Sequence, residues 1–360
     1  MSHEAESGVD RLFSCFEFWP SWLVYAPVAV AWLAWALRYR SLTLPLLVNP
    51  CMPMAGFVGS SKAAVLRYAA ATAHAAILPW IVQRVDTRPL AQQVRQMEAR
   101  AAAAGIAYPC VVKPDMGCRG SGVKLVHDAQ ELSTVVAAYR PGMDILLQRV
   151  ADHEPEVGIF WVRHPHERRG RVVSLTDKTT PAVVGDGQRT LGQLVAADPR
   201  MAALQHLYRQ RNHAHWDQVL PLGQRHRLLF SASHCRGAVF TDLRQDITPQ
   251  LQEACNDLLS DLPDFHYGRL DVKYRDREQL RAGKDLQIIE INGASAEAIH
   301  IWDRRTTLFE ALRTLLWQYR SLFTYGAALR QRGLRPPSLG RLWRAARREF
   351  RLRRFHPETD

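Results

Sequence analysis

Two short runs hold the side chains best suited to chemistry: Arg269 and Asp271 in "GRLDVKY", and Glu290 and Asn292 in "IIEIN". Within each run the two polar residues are two apart, so on a strand they share one face. If the strands pair as neighbours, one small surface carries two carboxylates, an amide oxygen and a guanidinium. Hard cations such as Mg²⁺ take these oxygens, and phosphates complete the shell. The plainer reading is an ion pair at a sheet edge.

A third run lies upstream, "VVKPDMGCRGSGVKLV" at 111–126, with Gly117, Gly120 and Gly122 just after Lys113-Pro114. A Walker-type loop ends in Gly-Lys-Ser/Thr and opens a helix. Here "VKLV" follows Gly122 and reads as a strand. The spacing therefore predicts a strand–loop–strand flap over residues 117–122. Glycines let such a backbone approach phosphate oxygens, and its N–H groups donate to them. Lys113 would neutralise a phosphate as a point charge. A plain glycine hairpin is the alternative. Cys118 reads as a small filler, since only Arg119 stands near to activate a thiol.

These runs need strands to hold them. "YPCVVKP" and "SGVKLV" flank the flap, and "DILLQRV", "EVGIFWVRH", "RVVSLTDK", "TPAVVGDG", "HRLLFSAS", "GRLDVKY" and "LQIIEIN" read as further strands. Helices are expected from Ser61 to about Ala73 with Ser60 as cap, and near 88–104, 129–139, 249–260 and 304–324. Another follows Thr190, a good N-cap. The fold class is α+β with mixed sheets. Lys178, between "SLTD" and the "GDG" turn, would reach phosphate or an acceptor unless it is solvated surface. His234 and Arg236 share one face of "SASHCRGAVF" and are candidate substrate contacts. His300 and Asp303 are weaker ones, and His213 and His215 read as loop residues.

The chain has 360 residues and a formal net charge of +12, which favours anionic partners. Its six cysteines form no CxxC pair and no metal-ligand spacing, so reduced thiols are expected. Phe18 to Leu37 is free of charge over 20 positions, about the length that crosses a bilayer. Acidic residues precede it, unlike a signal peptide, and Arg38 and Arg40 follow, which would leave the rest on the cytoplasmic side. Membrane insertion or docking is one reading, and a buried or partner-bound helix the other. After Pro337, Leu339, Leu342, Trp343, Ala346 and Phe350 recur at helical spacing among arginines. That pattern suits an anionic membrane surface, a packed structural helix or nucleic acid, though no base-reading motif supports the last.

Taken in order, the Lys-Pro, the flap, the Arg-x-Asp and the Glu-x-Asn resemble the ATP-grasp superfamily over about residues 60–300. "GRLDV" and "EIN" are similar to D-alanine–D-alanine ligases, and "TPAVVGDGQRTLGQLV" to cyanophycin synthetase and glutathione-ligase relatives. The resemblance implies an ATP-grasp fold, two α/β subdomains gripping ATP, with an N-terminal apolar helix and a C-terminal basic helix. It divides the chain at 1–40 (apolar segment), 41–105 (linker helices), 106–165 (lid), 166–325 (catalytic subdomain) and 326–360 (basic tail). It implies ATP with two Mg²⁺ ions, or Mn²⁺, and small-molecule carboxylate and amine substrates joined through an acylphosphate. Lys113 and Lys62 would contact phosphates, and Gly117, Arg119, Gly120, Ser121 and Gly122 would cover the triphosphate. Gln148, Arg149 and Val150 would border the adenine, and Glu156 would bind the ribose. Asp271, Glu290 and Asn292 would hold the metal, and Arg269 the developing oxyanion. Gln148 departs from the family's usual Glu, and "GASAEAIHIWD" after Asn292 departs from the D-alanine ligase substrate loop, which argues against D-alanine as substrate. The expected place is the cytoplasmic face of the cell membrane. The alternative is a non-catalytic, membrane-associated ATP-binding sensor.

Overall fold

The computed structural model describes residues 13–73, 75–117, 122–231, 237–259, 262, 264–357 and 359. Cys118, Arg119, Gly120 and Ser121 of the flap, and His234 and Arg236 of the suggested substrate segment, lie outside the described residues.

In chain order, α1 (Ser21–Arg38) and α2 (Lys62–Ala73) precede a first sheet. That sheet comprises β1 (Trp80–Arg84), then after α3 (Leu90–Ala103) the hairpin β2 (Cys110–Pro114) and β3 (Lys124–Val126), then after α4 (Ala129–Ala137) β4 (Asp144–Arg149). Its strand order is β1-β4-β2-β3. Side chains alternate across it. Val112, Ile145 and Leu147 pack with Val94, Met97, Leu132 and Val136 of α3 and α4. Lys113, Leu146 and Gln148 therefore fall on the opposite face, and Leu146 joins the main core there.

The chain continues through β5 (Glu156–Val162), β6 (Arg171–Thr179) and β7 (Ala182–Val184) to α5 (Leu191–Ala197), α6 (Pro199–Ala203) and α7 (Gln205–Arg211). Next come β8 (Arg225–Arg227), β9 (Val239–Asp242), α8 (Pro249–Leu259), β10 (Tyr267–Lys273), α9 (Arg277–Ala282) and β11 (Gln287–Asn292). Finally α10 (Leu308–Gln331) and α11 (Leu339–Arg353) close the chain. The second sheet runs β11-β10-β5-β6-β9. All seven residues of its central β5 are buried, as a continuous apolar strand covered on both faces should be. Leu66 of α2, with Leu251, Cys255 and Leu259 of α8 and Leu280 of α9, covers one face. Leu322 and Tyr325 of α10 pack with Phe160 and Tyr267 on the other. β7 and β8 make a small ribbon closed by α5 and α7.

Several expectations change. β1 and β9 were not legible as strands. β5, expected with the flap strands, pairs with β10 and β6 instead, so the flap sheet runs from β1 to β4. Every pair of named strands is antiparallel, not mixed. The physical reason is insertion: β4 separates β1 from β2, the pair that the α3 crossover makes parallel. The cap of α2 is Ser61, whose Oγ accepts from Ala64 N at 3.0 Å, not Ser60.

The apolar N-terminal segment forms α1 and lies along α10. Val24, Val28 and Ala36 are buried. The Trp32 ring sits 5.1 Å from Phe323, 5.8 Å from Tyr319 and 6.0 Å from Phe57. The other face of α1 is open, with Trp22 71%, Val30 70% and Leu37 80% exposed. The basic tail splits in the same way. Leu339, Trp343 and Phe350 are exposed, while Leu342 and Ala346 are half-buried, so the expected single stripe is divided between two faces. Leu352 and Phe355 pack against the first sheet's core, and Glu349 accepts from Gly59 N at 2.7 Å.

Candidate active site

A cavity of about 890 Å³ opens between the two sheets. Lys62, Lys113, Gly117, Gln148, Arg149, Val150, Glu156, Lys178, Arg269, Asp271, Glu290 and Asn292 all line it. Every described residue singled out for nucleotide, metal or catalysis except Gly122 thus reaches one space from two sheets.

The floor comes from β10 and β11. Their register sets Asp271 opposite Glu290 and Arg269 opposite Asn292. A bulge follows, so Val272 pairs with Ile288 and Ile289 is the extra residue. Strict alternation would put Ile288 and Glu290 on the same face. The bulge frees Ile288 to enter the core while Glu290 faces the cavity, a re-aiming that bulges commonly provide. It also turns the Ile289 carbonyl outward, where it accepts from Lys113 Nζ at 3.1 Å. After Asn292 the chain passes Gly56 closely. A Cβ on Gly293 would lie 2.5 Å from Ala55 O, so only glycine fits there.

The roof comes from the first sheet and α2. Lys113 Nζ donates to Gln148 Oε1 at 2.8 Å, and both residues are buried. Gln148 Nε2 is a buried amide donor with no partner among the described residues. The end of β2 also positions Lys62. Lys62 N donates to Asp115 O, and Ala63 N donates to Asp115 Oδ1 at 2.8 Å. Lys62 Nζ then donates to Gly117 O at 2.7 Å and lies 3.8 Å from Glu290. The flap's exit is pinned from two sides: Tyr139 Oη donates to Gly122 O at 3.0 Å, and Gly122 N donates to Thr359 Oγ1 at 2.8 Å. Gly122 has φ +75°, a conformation that suits glycine. The tail also brings His356 against the flap, and burial beside Lys62 and Arg353 pushes its imidazole down to about 4.

Charge is tightly interleaved. Arg269 grips Asp271 with two hydrogen bonds, 2.8 and 3.2 Å, and Asn292 Nδ2 donates to the same carboxylate at 3.2 Å. Lys178 is buried, not solvated. It hydrogen-bonds Glu156 and lies 3.4 Å from Asp271. Lys273, missed in the sequence, pairs with Glu156 at 3.1 Å. Its signal was present, two residues beyond Asp271 on the same strand face. Burial opposes ionisation of Asp271, but Arg269 and Lys178 outweigh it and draw the carboxyl down to about 2. Burial likewise opposes the Glu156 charge, and Lys178 and Lys273 together hold it below its ordinary value. For Lys113, burial prevails and lowers the ammonium to about 8 despite Glu290. A bound polyphosphate would draw it back up.

The donor set suits Mg²⁺. It offers two carboxylates and one amide oxygen from adjacent strand positions, and Mg²⁺ ordinarily takes one or two carboxylates plus phosphate oxygens. Among the described residues no group of three or more His, Cys, Asp or Glu side chains could form an all-protein cage. His300 and Asp303 are structural. His300 Nδ1 pairs with Ser174 Oγ at 2.8 Å, and Asp303 Oδ2 accepts from Asp242 N at 2.7 Å.

A family model described as the carbamoyl-phosphate synthase L chain, ATP binding domain, matches residues 81–143, from β1 to just before β4. No curated protein matches the sequence. Among solved structures, the chain is similar to a bifunctional glutathione synthetase from Pasteurella multocida, at 14% identity and a TM-score of 0.36, over 71% of this chain and 35% of that one. It is also similar to the VanG D-Ala:D-Ser ligase from Enterococcus faecalis, at 11% identity and a TM-score of 0.41, over 74% of this chain and 64% of that one. The chain therefore spans less than two thirds of the length of either protein. The matched segment, the two antiparallel sheets and the cavity between them resemble the arrangement of the ATP-grasp ligases.

Proposed function

We propose that the protein is an ATP-dependent ligase that joins a carboxylate to an amine. The observation that carries this reading is the pairing of Asp271 with Glu290 on one sheet, beneath Lys113 and Lys62 supplied from the other side of the same cavity. In the proposed reaction a carboxylate oxygen attacks the γ-phosphorus of ATP. The bond to the bridging oxygen breaks, ADP leaves and an acylphosphate remains. The amine nitrogen then attacks the acyl carbon, phosphate departs with the electrons of the carbon–oxygen bond, and the nitrogen sheds a proton to water. Lys113 and Lys62 offset phosphate charge, which is most of what phosphoryl transfer asks of a protein. Arg269 donates to the tetrahedral oxyanion. Asp271, Glu290 and Asn292 would hold Mg²⁺, which supplies further charge neutralisation when bound. Lys178 and Lys273 hold Glu156, and Lys178 also faces Asp271. The expected result is Mg²⁺-dependent ADP release that requires both an acid and an amine. Nucleotide binding without ADP release from any acid–amine mixture would leave a binding module instead.

We also propose that the protein rests on the cytoplasmic surface of a membrane rather than crossing it. One face of α1 is packed on α10, and only the other is available to lipid. The arginines of α11 flank the exposed Trp343 and Phe350, a pattern suited to anionic headgroups. Co-sedimentation with phosphatidylserine vesicles should fall at least tenfold in a Trp22→Glu, Val30→Glu, Leu37→Glu triple variant. Equal pelleting of the variant would refute the docking.

A further inference from the structure

One apolar feature shares two wall residues with the candidate active-site cavity. A second groove of about 460 Å³ runs along α1, lined by Tyr25, Ala29, Trp32, Leu33, Phe57 and Tyr319 among others, none of them charged. Tyr25 and Phe57 line both spaces. At their junction the Tyr25 hydroxyl donates to the Glu297 carboxylate, and the Glu297 carbonyl accepts from Arg269 at 3.3 Å. One residue, Glu297, thus links the groove's Tyr25 to the guanidinium assigned to the oxyanion. From Tyr25 to Leu33 it follows about 12 Å of helix. The cavity end it meets is itself partly apolar, with Trp19, Ile299 and Trp302 on its wall.

We infer that one of the two substrates is a single-chain amphiphile, with its reacting polar end beside Arg269 and its hydrocarbon tail lying in the α1 groove. This rests on the ligase reading for the chemistry of the polar end, but not for the tail. The groove's uncharged aromatic walls offer nothing to a polar or charged second substrate. A hydrocarbon chain matches the groove's chemistry, and the open groove would cover one side of it. The shared walls connect it to the place where the headgroup reacts. It also explains why the apolar N-terminal segment is folded against the catalytic body instead of standing apart from it.

The test is binding of straight-chain carboxylates and n-alkylamines from six to twelve carbons, kept below their micelle concentrations, to the full chain by calorimetry. In one of the two series Kd should fall about fourfold for each added methylene until the tail outgrows the groove. Ala29 is exposed, so Ala29→Trp fills the groove without disturbing the core. That variant should lose the chain-length dependence while its ATP affinity stays unchanged. A Kd independent of chain length in both series overturns the inference, as does a dependence that survives in Ala29→Trp, which would mean the tails merely coat the exposed face of α1. Chain-length-dependent binding with no ADP release from any pair supports the groove and counts against ligation. ADP release with short substrates and a flat series does the reverse.

Discussion

Glu290→Gln is expected to lower Mg²⁺-dependent ADP release by about 10³-fold while leaving the fold intact. The magnitude follows from a bound metal's contribution of several kcal/mol to a charged transition state, each ~1.4 kcal/mol being a factor of ten. The side chain is 30% exposed, and its ionic partner among the described pairs is Lys62 at 3.8 Å. Ion pairs at such sites contribute about 0–1 kcal/mol, so neutralising this one should barely move the melting temperature. Glutamine keeps the shape and one oxygen donor but not the charge. Without Mg²⁺, ATP should bind the variant no worse than the wild type, because a negative charge facing the phosphates is gone. Two readings are needed: steady-state ADP release with excess Mg²⁺, and ATP affinity in chelator. Undiminished turnover would remove Glu290 from the metal set, and a weakened metal-free affinity would make it a nucleotide contact instead.

Much of this site was legible because strand periodicity is a rigid rule. Arg269 and Asp271 had to share a face, as did Glu290 and Asn292, whatever the rest of the chain did. The flap was legible for a similar reason, since β-branched flanks exclude a helix-opening loop. What escaped was decided by pairing between distant segments. β1 carries no strict alternation, and its strand character comes from pairing with β4. The bulge at Ile289 cannot be read from "LQIIEIN", because it depends on fitting Ile288 into a core built by α2 and α8. Lys178 read equally well as surface. Its burial follows from β6 lying beside β5, which brings Glu156 to it from the next strand and Asp271 from β10, one strand further. The tail's split faces and the α1 groove depend on docking against α10 and the first sheet, which no local pattern encodes.

Asp271→Asn should lose ADP release as completely as Glu290→Gln but, unlike it, should also destabilise the protein. Asp271 is 4% exposed and serves as counter-ion to Arg269 and Lys178 together. Neutralising it leaves Lys178 with Glu156 and Arg269 with only the more distant Glu290 and Glu297 charges. Breaking a buried pair in this way costs about 3–5 kcal/mol, or roughly 4–7 °C in Tm for a chain of this length. The loss should depend on pH, and its sign is fixed. The carboxyl titrates at about 2 in the folded protein against 3.8 when unperturbed. A carboxyl depressed by folding contributes stability above its unfolded value and loses it as pH falls through the folded one. The Tm gap between wild type and Asp271→Asn should therefore be full at pH 6, narrow below about pH 4 and nearly close near pH 2. Melts in chelator keep metal binding out of the comparison. A gap unchanged from pH 6 to pH 3 would mean that Asp271 stabilises the cluster by shape and hydrogen bonding, not by charge. Lys178 would then be balanced through Glu156, and Arg269 through Glu290 and Glu297.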